Sequence, residues 1–252
     1  SNSSIVKQAE DLGIKIHWKH TVVNTNGYKR INSIELMKLS DDGTSVVENK
    51  LKEECDCLGI SGGWTPRVHL FTQSGGKLKF RDKDNVFLPD KSTSEQISIG
   101  SCNGDFELDD VIKNSNKLVN KFLNINSSDY ENLEINCSKE IDKKNIWLLP
   151  SDKPLGKTKP FLDFQNDSTA KDVRLALREG FKSIEHVKRY TTTGMGTDQG
   201  KLSNMHALGI IAETAGVKMG ELGTTTFRPP YTPLTFGTIV GRNVGEFFDI
   251  TR

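Results

Sequence analysis

Between residues 168 and 216 three helix signals follow one another, and the last two are parted by Thr191-Thr-Thr-Gly-Met-Gly-Thr-Asp-Gln-Gly200. Glycine and threonine are poor helix formers, so neither flanking helix can run through this stretch, and the chain must reverse within a small helical body. Ser168 or Thr169 is a fitting N-cap for the first helix; Val173, Ala176 and Leu177 form its apolar stripe and Gly180 closes it. Ser183 caps the second, with Ile184 and Val187 inward, as far as about Tyr190. Ser203 caps the third, whose stripe Met205, Leu208, Ile211, Ala212, Ala215 keeps a helical period up to Gly216. The loop's own chemistry has two readings. Gly194, Gly196 and Gly200 would let a ligand approach the main chain closely, the hydroxyls of Thr191, Thr192 and Thr193 could bond its polar atoms, and Lys201 would add positive charge beside a helix N-terminus. Alternatively it is a plain connection whose threonines cap helices.

The front half reads differently. Ile5, Ala9 and Leu12 suit the end of a helix closed by Gly13. Alternation through Ile14, Ile16 and Trp18, then Val22-Val23 before Asn26-Gly27, predicts a strand and turn. Ile31 to Met37 and Val46-Val47, parted by Asp41-Asp42-Gly43, complete an antiparallel meander. Cys55 to Ile60 predicts a short strand running into Ser61-Gly-Gly-Trp-Thr-Pro66. Val86 to Pro89 and Ile97 to Gly100 predict two more, the latter opening through Ser101 to Asp110 into a helix with Val111, Leu118, Val119 and Phe122 on one face. A strand, a glycine turn and a helix form a nucleotide-facing geometry, or an ordinary connection. Residues 125–160, rich in Asn, Ser and Lys and punctuated by Pro150, Pro154 and Pro160, read as a linker.

Lys and Arg number 34 against 33 Asp and Glu, a formal charge of +1, which excludes wholesale attraction to nucleic acid or anionic lipid. Cys55 and Cys57 alternate, and Cys102 and Cys137 stand alone, so the four cysteines form neither a disulfide framework nor a zinc site and read as reduced thiols. No apolar run nears the ~18 residues of a membrane span, and no basic start with an apolar stretch marks a signal peptide. The expected setting is the cytoplasm, with neither a nucleic-acid nor a membrane partner.

The three helices and their Gly-rich loop resemble the small (2Fe–2S) domain of the bacterioferritin-associated-ferredoxin (BFD) type found in amine and opine dehydrogenases. Matched residue by residue, that family's two cysteine pairs fall on Leu162 and Phe164 and on Asp198 and Ser203, none of which offers a thiolate. The resemblance with these substitutions implies no iron–sulfur centre. Such loss is what the α subunits of heterotetrameric sarcosine oxidases show, and Phe161 to Asp167, Arg178 to Tyr190 and Gly223 to Pro233 look like theirs. The resemblance runs from residue 5 to 252.

It implies an α/β fold, a partial two-dinucleotide-binding flavoprotein fold with mixed β-sheet elements, followed by a small all-α BFD-like domain. The implied limits are 1–124 for the late part of an NAD-binding domain, 125–160 for the linker, 161–222 for the helical domain, and 223–252 leading toward a folate-binding, aminomethyltransferase-like domain. In that family the enzyme oxidatively demethylates sarcosine to glycine and passes the one-carbon unit to tetrahydrofolate. FAD sits on the β subunit, FMN at the α/β boundary, NAD on the α subunit, and β, γ and δ subunits complete the assembly. By position, Ser101, Phe106 and Leu108 would border NAD, and Thr191, Thr192, Thr193, Gly194 and Lys201 would border FMN. No residue is assigned a catalytic role. A purely structural subunit-interaction module, or a subunit of a related proline or opine dehydrogenase, stands as the alternative. His186 in mid-helix and His17 and His20 on a strand read as structural, and Arg228-Pro-Pro-Tyr-Thr-Pro233 as an ordered connection.

Overall fold

A computed structural model describes residues 4–125, 145–229, 232 and 234–244. Cys137, most of the expected linker, and Pro230, Tyr231 and Pro233 lie outside the described residues. The described chain forms two compact units, one of residues 1–62 with 148–158 and one of 63–147 with 159–252.

The first unit opens with α1 (Ser4–Asp11) and carries the expected meander: β1 (His20–Gly27), β2 (Ile31–Leu39) and β3 (Val46–Glu54), antiparallel in the order β1-β2-β3. Register runs from His20 opposite Lys38 to Gly27 opposite Ile31, and from Ser33 opposite Glu54 to Leu39 opposite Val46. Leu36 and Met37 of the central strand are buried. Lys50 ties residues 148–158 to this sheet, reaching Glu35 at 3.2 Å and Asp152 at 2.9 Å. Two strand expectations fail for want of a partner. Residues 14–18 alternate correctly, but Lys19 takes a positive φ of 57° and the ladder begins only at His20, leaving Ile14 and Trp18 exposed. Cys55 bonds its N–H to Asn32 O at 3.2 Å, and from there to Ile60 the chain leaves the ladder.

In the second unit α2 (His69–Gln73) precedes a hairpin of β4 (Lys77–Arg81) and β5 (Val86–Lys91), where Phe80 and Phe87 meet at 5.0 Å between ring centroids. The expected strand at Ile97 to Gly100 is instead an unpaired extended approach to a 3-10 turn, Gly100–Asn103, closed by Gly104 at φ 86°. Arg81 donates to Gly104 O at 2.9 Å and so draws the turn against the hairpin. Helix α3 (Leu108–Leu123) follows, with Val119 and Phe122 of its apolar stripe left exposed.

A short antiparallel pair, β6 (Phe161–Asp163) and β7 (Ser168–Thr169), leads into α4 (Ala170–Arg178), α5 (Ile184–Thr191), α6 (Asn204–Ala215) and α7 (Met219–Leu222), and α8 (Phe236–Val240) lies near the end. Asp172 Oδ2 accepts from both the N–H and the hydroxyl of Thr169, which secures the start of α4. Val173 and Ala176 of α4, Val187 of α5, and Leu208, Ile210 and Ile211 of α6 are almost entirely shielded from water and make the core. These helices belong to one unit with the β4–β5 hairpin, Trp147 packs over Gly209, and Phe80 over Gly220.

Candidate functional site

The Gly/Thr loop begins where α5 ends at Thr192, which adopts the left-handed conformation (φ 60°, ψ 7°). The buried Thr191 hydroxyl donates to Val187 O at 2.8 Å and lies 2.9 Å from the Thr193 hydroxyl; the Thr192 hydroxyl donates to Thr191 O at 2.6 Å. Asp163, 3 % exposed, anchors the loop from below. Its Oδ2 accepts from the Gly194 N–H at 2.7 Å, and its Oδ1 accepts from the N–H groups of Gln165 and Asn166 at 2.9 and 3.1 Å. Gln165 bridges onward, donating to the Thr197 hydroxyl at 2.7 Å and accepting from the Asp198 N–H at 3.1 Å. The two segments onto which the family resemblance maps four cysteine positions therefore lie side by side, joined by hydrogen bonds. Residues 157–242 contain no cysteine, and the donors present do not fit an iron–sulfur cluster.

The close approach permitted by the glycines is used by the protein itself. A Cβ on Gly194 would sit 2.4 Å from Asn204 Oδ1, one on Gly200 2.0 Å from the same atom, and one on Gly196 2.2 Å from Gln165 Oε1. Asn204, the first residue of α6, also donates to the Thr225 hydroxyl at 3.0 Å, so it pins the loop to residues 224–227.

On the inner side of the loop lies a cavity of about 270 Å³, bordered by Thr193, Gly200, Lys201, the Gly63-to-Pro66 turn, and the α5 and α6 faces of Ile184, Val187, Leu208 and Ile211. Its wall is largely apolar, and its charged side chains among the described residues are Arg67, Lys188 and Lys201, with no carboxylate. Such a lining suits a flat, mainly apolar ligand end with an anionic group. His69 and Phe227, both in its wall, pack against each other at 3.7 Å between ring centroids. Burial, reinforced by the charges of Lys201 and Arg67, lowers the His69 pKa to about 4, so its ring is neutral at pH 7. An unfolded histidine titrates near 6.5. The stabilising contribution of His69 is therefore complete above about pH 6.5 and is lost as pH falls toward 4, a change of about 3 kcal/mol. Urea unfolding at stepped pH should show the stability difference between the native chain and a His69→Gln variant shrinking by that amount; parallel curves would contradict it.

Of the loop residues expected to border a cofactor, Thr193 and Lys201 reach the cavity, whereas Thr191, Thr192 and Gly194 serve the loop's own bonding. Ser101 sits on the 3-10 turn, Phe106 between that turn and α3, and Leu108 at the start of α3; none of the three lines this cavity, and Ser101 and Leu108 are exposed. His69, Lys188, Asn204 and Asp163 had no distinguishing spacing. Only Asp163 left a trace, since an Asp shortly before polar Gln165-Asn166 suits a turn in which the carboxylate accepts from the N–H groups two and three residues on. His17 meets Glu53 at 3.2 Å, and no group of three or more His, Cys, Asp or Glu among the described residues is placed to hold a metal ion.

Known proteins place this architecture. Residues 157–242 match the family described as the sarcosine oxidase A3 domain. Sarcosine oxidase subunit alpha of Corynebacterium sp. (strain P-1) is 31 % identical over 260 residues, covering 99 % of this chain and 26 % of the relative; that of Rhizobium meliloti (strain 1021) is 35 % identical over 241 residues, covering 92 % and 23 %. L-proline dehydrogenase from P. horikoshii shares the fold with a TM-score of 0.61 at 18 % identity, over 94 % of this chain and 48 % of that one. No helix among the described residues is long and apolar enough to cross a membrane. By sequence, the chain is similar along nearly its whole length to about a quarter of a sarcosine oxidase α subunit, and residues 157–242 match that family's A3 domain.

Proposed function

We propose that the chain is an internal, non-catalytic part of a secondary-amine oxidoreductase subunit, on the pattern of sarcosine oxidase α, and that its loop and cavity border a flavin held mainly by another chain. The observation that carries this is the cation-lined, carboxylate-free cavity beneath Thr193, Gly200 and Lys201. At about 270 Å³ it lies below the ~300–1,000 Å³ of pockets that enclose a whole ligand, which suits one end of a cofactor. A flavin bound there would supply two-electron acceptance. The chain's own residues bind and orient: Lys201 and Arg67 neutralise an anionic group, Thr193 offers a hydroxyl, and the His69–Phe227 stack and α6 keep water from the apolar end.

On this reading FMN is the bordered cofactor and the β subunit its principal holder, with FAD on β, tetrahydrofolate on a further α domain, and γ and δ subunits in a cytoplasmic assembly that converts sarcosine to glycine. The domain limits at 124, 160 and 222 belong to the same proposal, as does the absence of an iron–sulfur centre. NAD has weaker support: the exposed Ser101 and Leu108 form no enclosing wall among the described residues, and no step is assigned to it.

A purely structural reading is favoured by exposed apolar side chains beside the loop: Trp64 is 85 % exposed and Leu202 72 %, as a subunit contact would require. Lys201→Glu in the full α subunit, co-purified with its β partner, separates the two. We expect assembly to persist while flavin absorbance falls to less than about half, since a charge reversal inside a poorly hydrated wall costs several-fold in anion affinity. Unchanged flavin content and turnover would sink the flavin-side role, and loss of assembly alone would favour the interaction module. The fold shared with a proline dehydrogenase keeps another secondary amine as the competing substrate, to be decided by turnover of sarcosine against proline.

A further inference from the structure

Lys188 is a lysine in an unusual position. Its side chain reaches the cavity wall from α5, the residue is 8 % exposed, and its Nζ donates to the backbone carbonyl of Thr226 at 3.1 Å. The nearest carboxylate on its helix, Glu185, is spent elsewhere: Oε1 accepts from the Thr226 N–H at 2.6 Å and Oε2 faces Arg189 at 3.6 Å. One residue of the 224–227 segment is thus held from both sides, its carbonyl by Lys188 and its N–H by Glu185. Across the cavity stand Arg67, Lys201 and the neutral His69 ring. A lysine with a single neutral acceptor, in an apolar wall among other cations, has the surroundings that turn an ammonium into a nucleophilic amine.

We propose that Lys188 is a carbonyl-capturing amine that forms a reversible imine with a small anionic carbonyl compound entering this cavity. Burial first, with Arg228 and Arg189 adding to it and Glu185 opposing, lowers its pKa from the ordinary lysine value. Its unprotonated form can still give one N–H to Thr226 O and keeps a lone pair for attack. The nitrogen attacks the carbonyl carbon and a C–N bond forms; a proton passes from nitrogen to oxygen, water leaves, and a C=N bond remains. No oxidant or reductant is consumed. The ligand class follows from the lining, in which Lys201 and Arg67 meet the anion and the apolar wall meets the rest, so this ligand and a flavin end would occupy the cavity in turn and not together. The source rests on the competing secondary-amine reading above and not on demethylation of sarcosine to glycine, whose one-carbon product is uncharged: two-electron oxidation at the carboxylate-bearing carbon of a secondary amino acid gives an imine whose hydrolysis releases an anionic carbonyl compound.

The test uses the full subunit with its partner, glyoxylate as the probe, cyanoborohydride to trap the imine, and peptide mapping across pH. We expect a reduced adduct on Lys188 whose yield levels off at a lower pH than that on the exposed Lys29 and Lys153. Lys188→Arg, which keeps a donor for Thr226, should leave the 184–191 peptide unmodified while the exposed lysines still react. An unlabelled Lys188, a Lys188 profile identical to that of the exposed lysines, or trapping on Lys201 instead would each overturn the proposal. Flavin content is read separately in the Lys201→Glu protein, so the failure of either idea is told apart from failure of the other.

Discussion

Asp163→Ala should unfold the Gly/Thr loop region at markedly lower denaturant, with a loss of about 4 kcal/mol. The Asp163 carboxylate is 3 % exposed and accepts from three backbone N–H groups, those of Gln165, Asn166 and Gly194. Hydrogen bonds to a charged acceptor contribute about 1.5–3 kcal/mol each, and removing the acceptor strands donors that are shielded from water. The losses share one side chain and are not additive, so the total falls below the sum. Urea unfolding checks it. Asp163→Asn separates charge from shape, because an amide oxygen can retain some of these bonds; we expect it to recover part of the loss. If Asp163→Ala cost under about 1 kcal/mol, the anchoring role would be wrong. The same variant should weaken any flavin contact, since Thr193 and Lys201 are positioned through Gly194.

Gly200→Ala should cost about as much for a different reason. Gly200 has φ 74°, a conformation that costs an L-residue roughly 1–2 kcal/mol, and the new Cβ would lie 2.0 Å from Asn204 Oδ1, an overlap typical of overpacking at about 1–3 kcal/mol. The double variant Gly200→Ala with Asn204→Ala separates the two parts: removing the Asn204 amide relieves the overlap but not the backbone cost. We expect partial recovery relative to Gly200→Ala, offset by loss of the Asn204 bond to Thr225. A double variant that costs as much as Gly200→Ala and Asn204→Ala added together would mean that the backbone conformation alone requires glycine here.

These two positions show what was readable in advance. The glycines and threonines of residues 191–200 announce an irregular turn between helices, and the three helices appear where caps and periodicity put them, at Ala170–Arg178, Ile184–Thr191 and Asn204–Ala215. The meander was legible for the same reason: alternation and turn residues are local signals. What alternation could not disclose is whether a partner strand exists. Residues 14–18 and 55–60 have strand-like patterns and no ladder neighbour, and residues 97–100 end in a 3-10 turn because Arg81 draws Gly104 toward the hairpin.

The candidate site divides along the same line. Thr193 and Lys201 belong to the loop that composition singled out, and both border the cavity. His69, Lys188 and Phe227 come from three separate segments whose sequences carry no motif, and only folding brings a lone histidine onto an aromatic ring at 3.7 Å. The glycines were read as room for a ligand, yet Asn204 and Gln165 fill much of that room, because a side chain tethered nearby in the fold competes for the space at far higher effective concentration than a free ligand.

By itself, then, the sequence determined the local elements, the irregular loop, the missing thiolates and the similarity to sarcosine oxidase α subunits, since each depends on residue identity and near spacing. Tertiary structure alone decided that the Gly/Thr loop is tied down by Asp163, and that Arg67, Lys188 and Lys201 line one carboxylate-free cavity. Burial and charge proximity are properties of contacts between distant segments, and no local pattern encodes them.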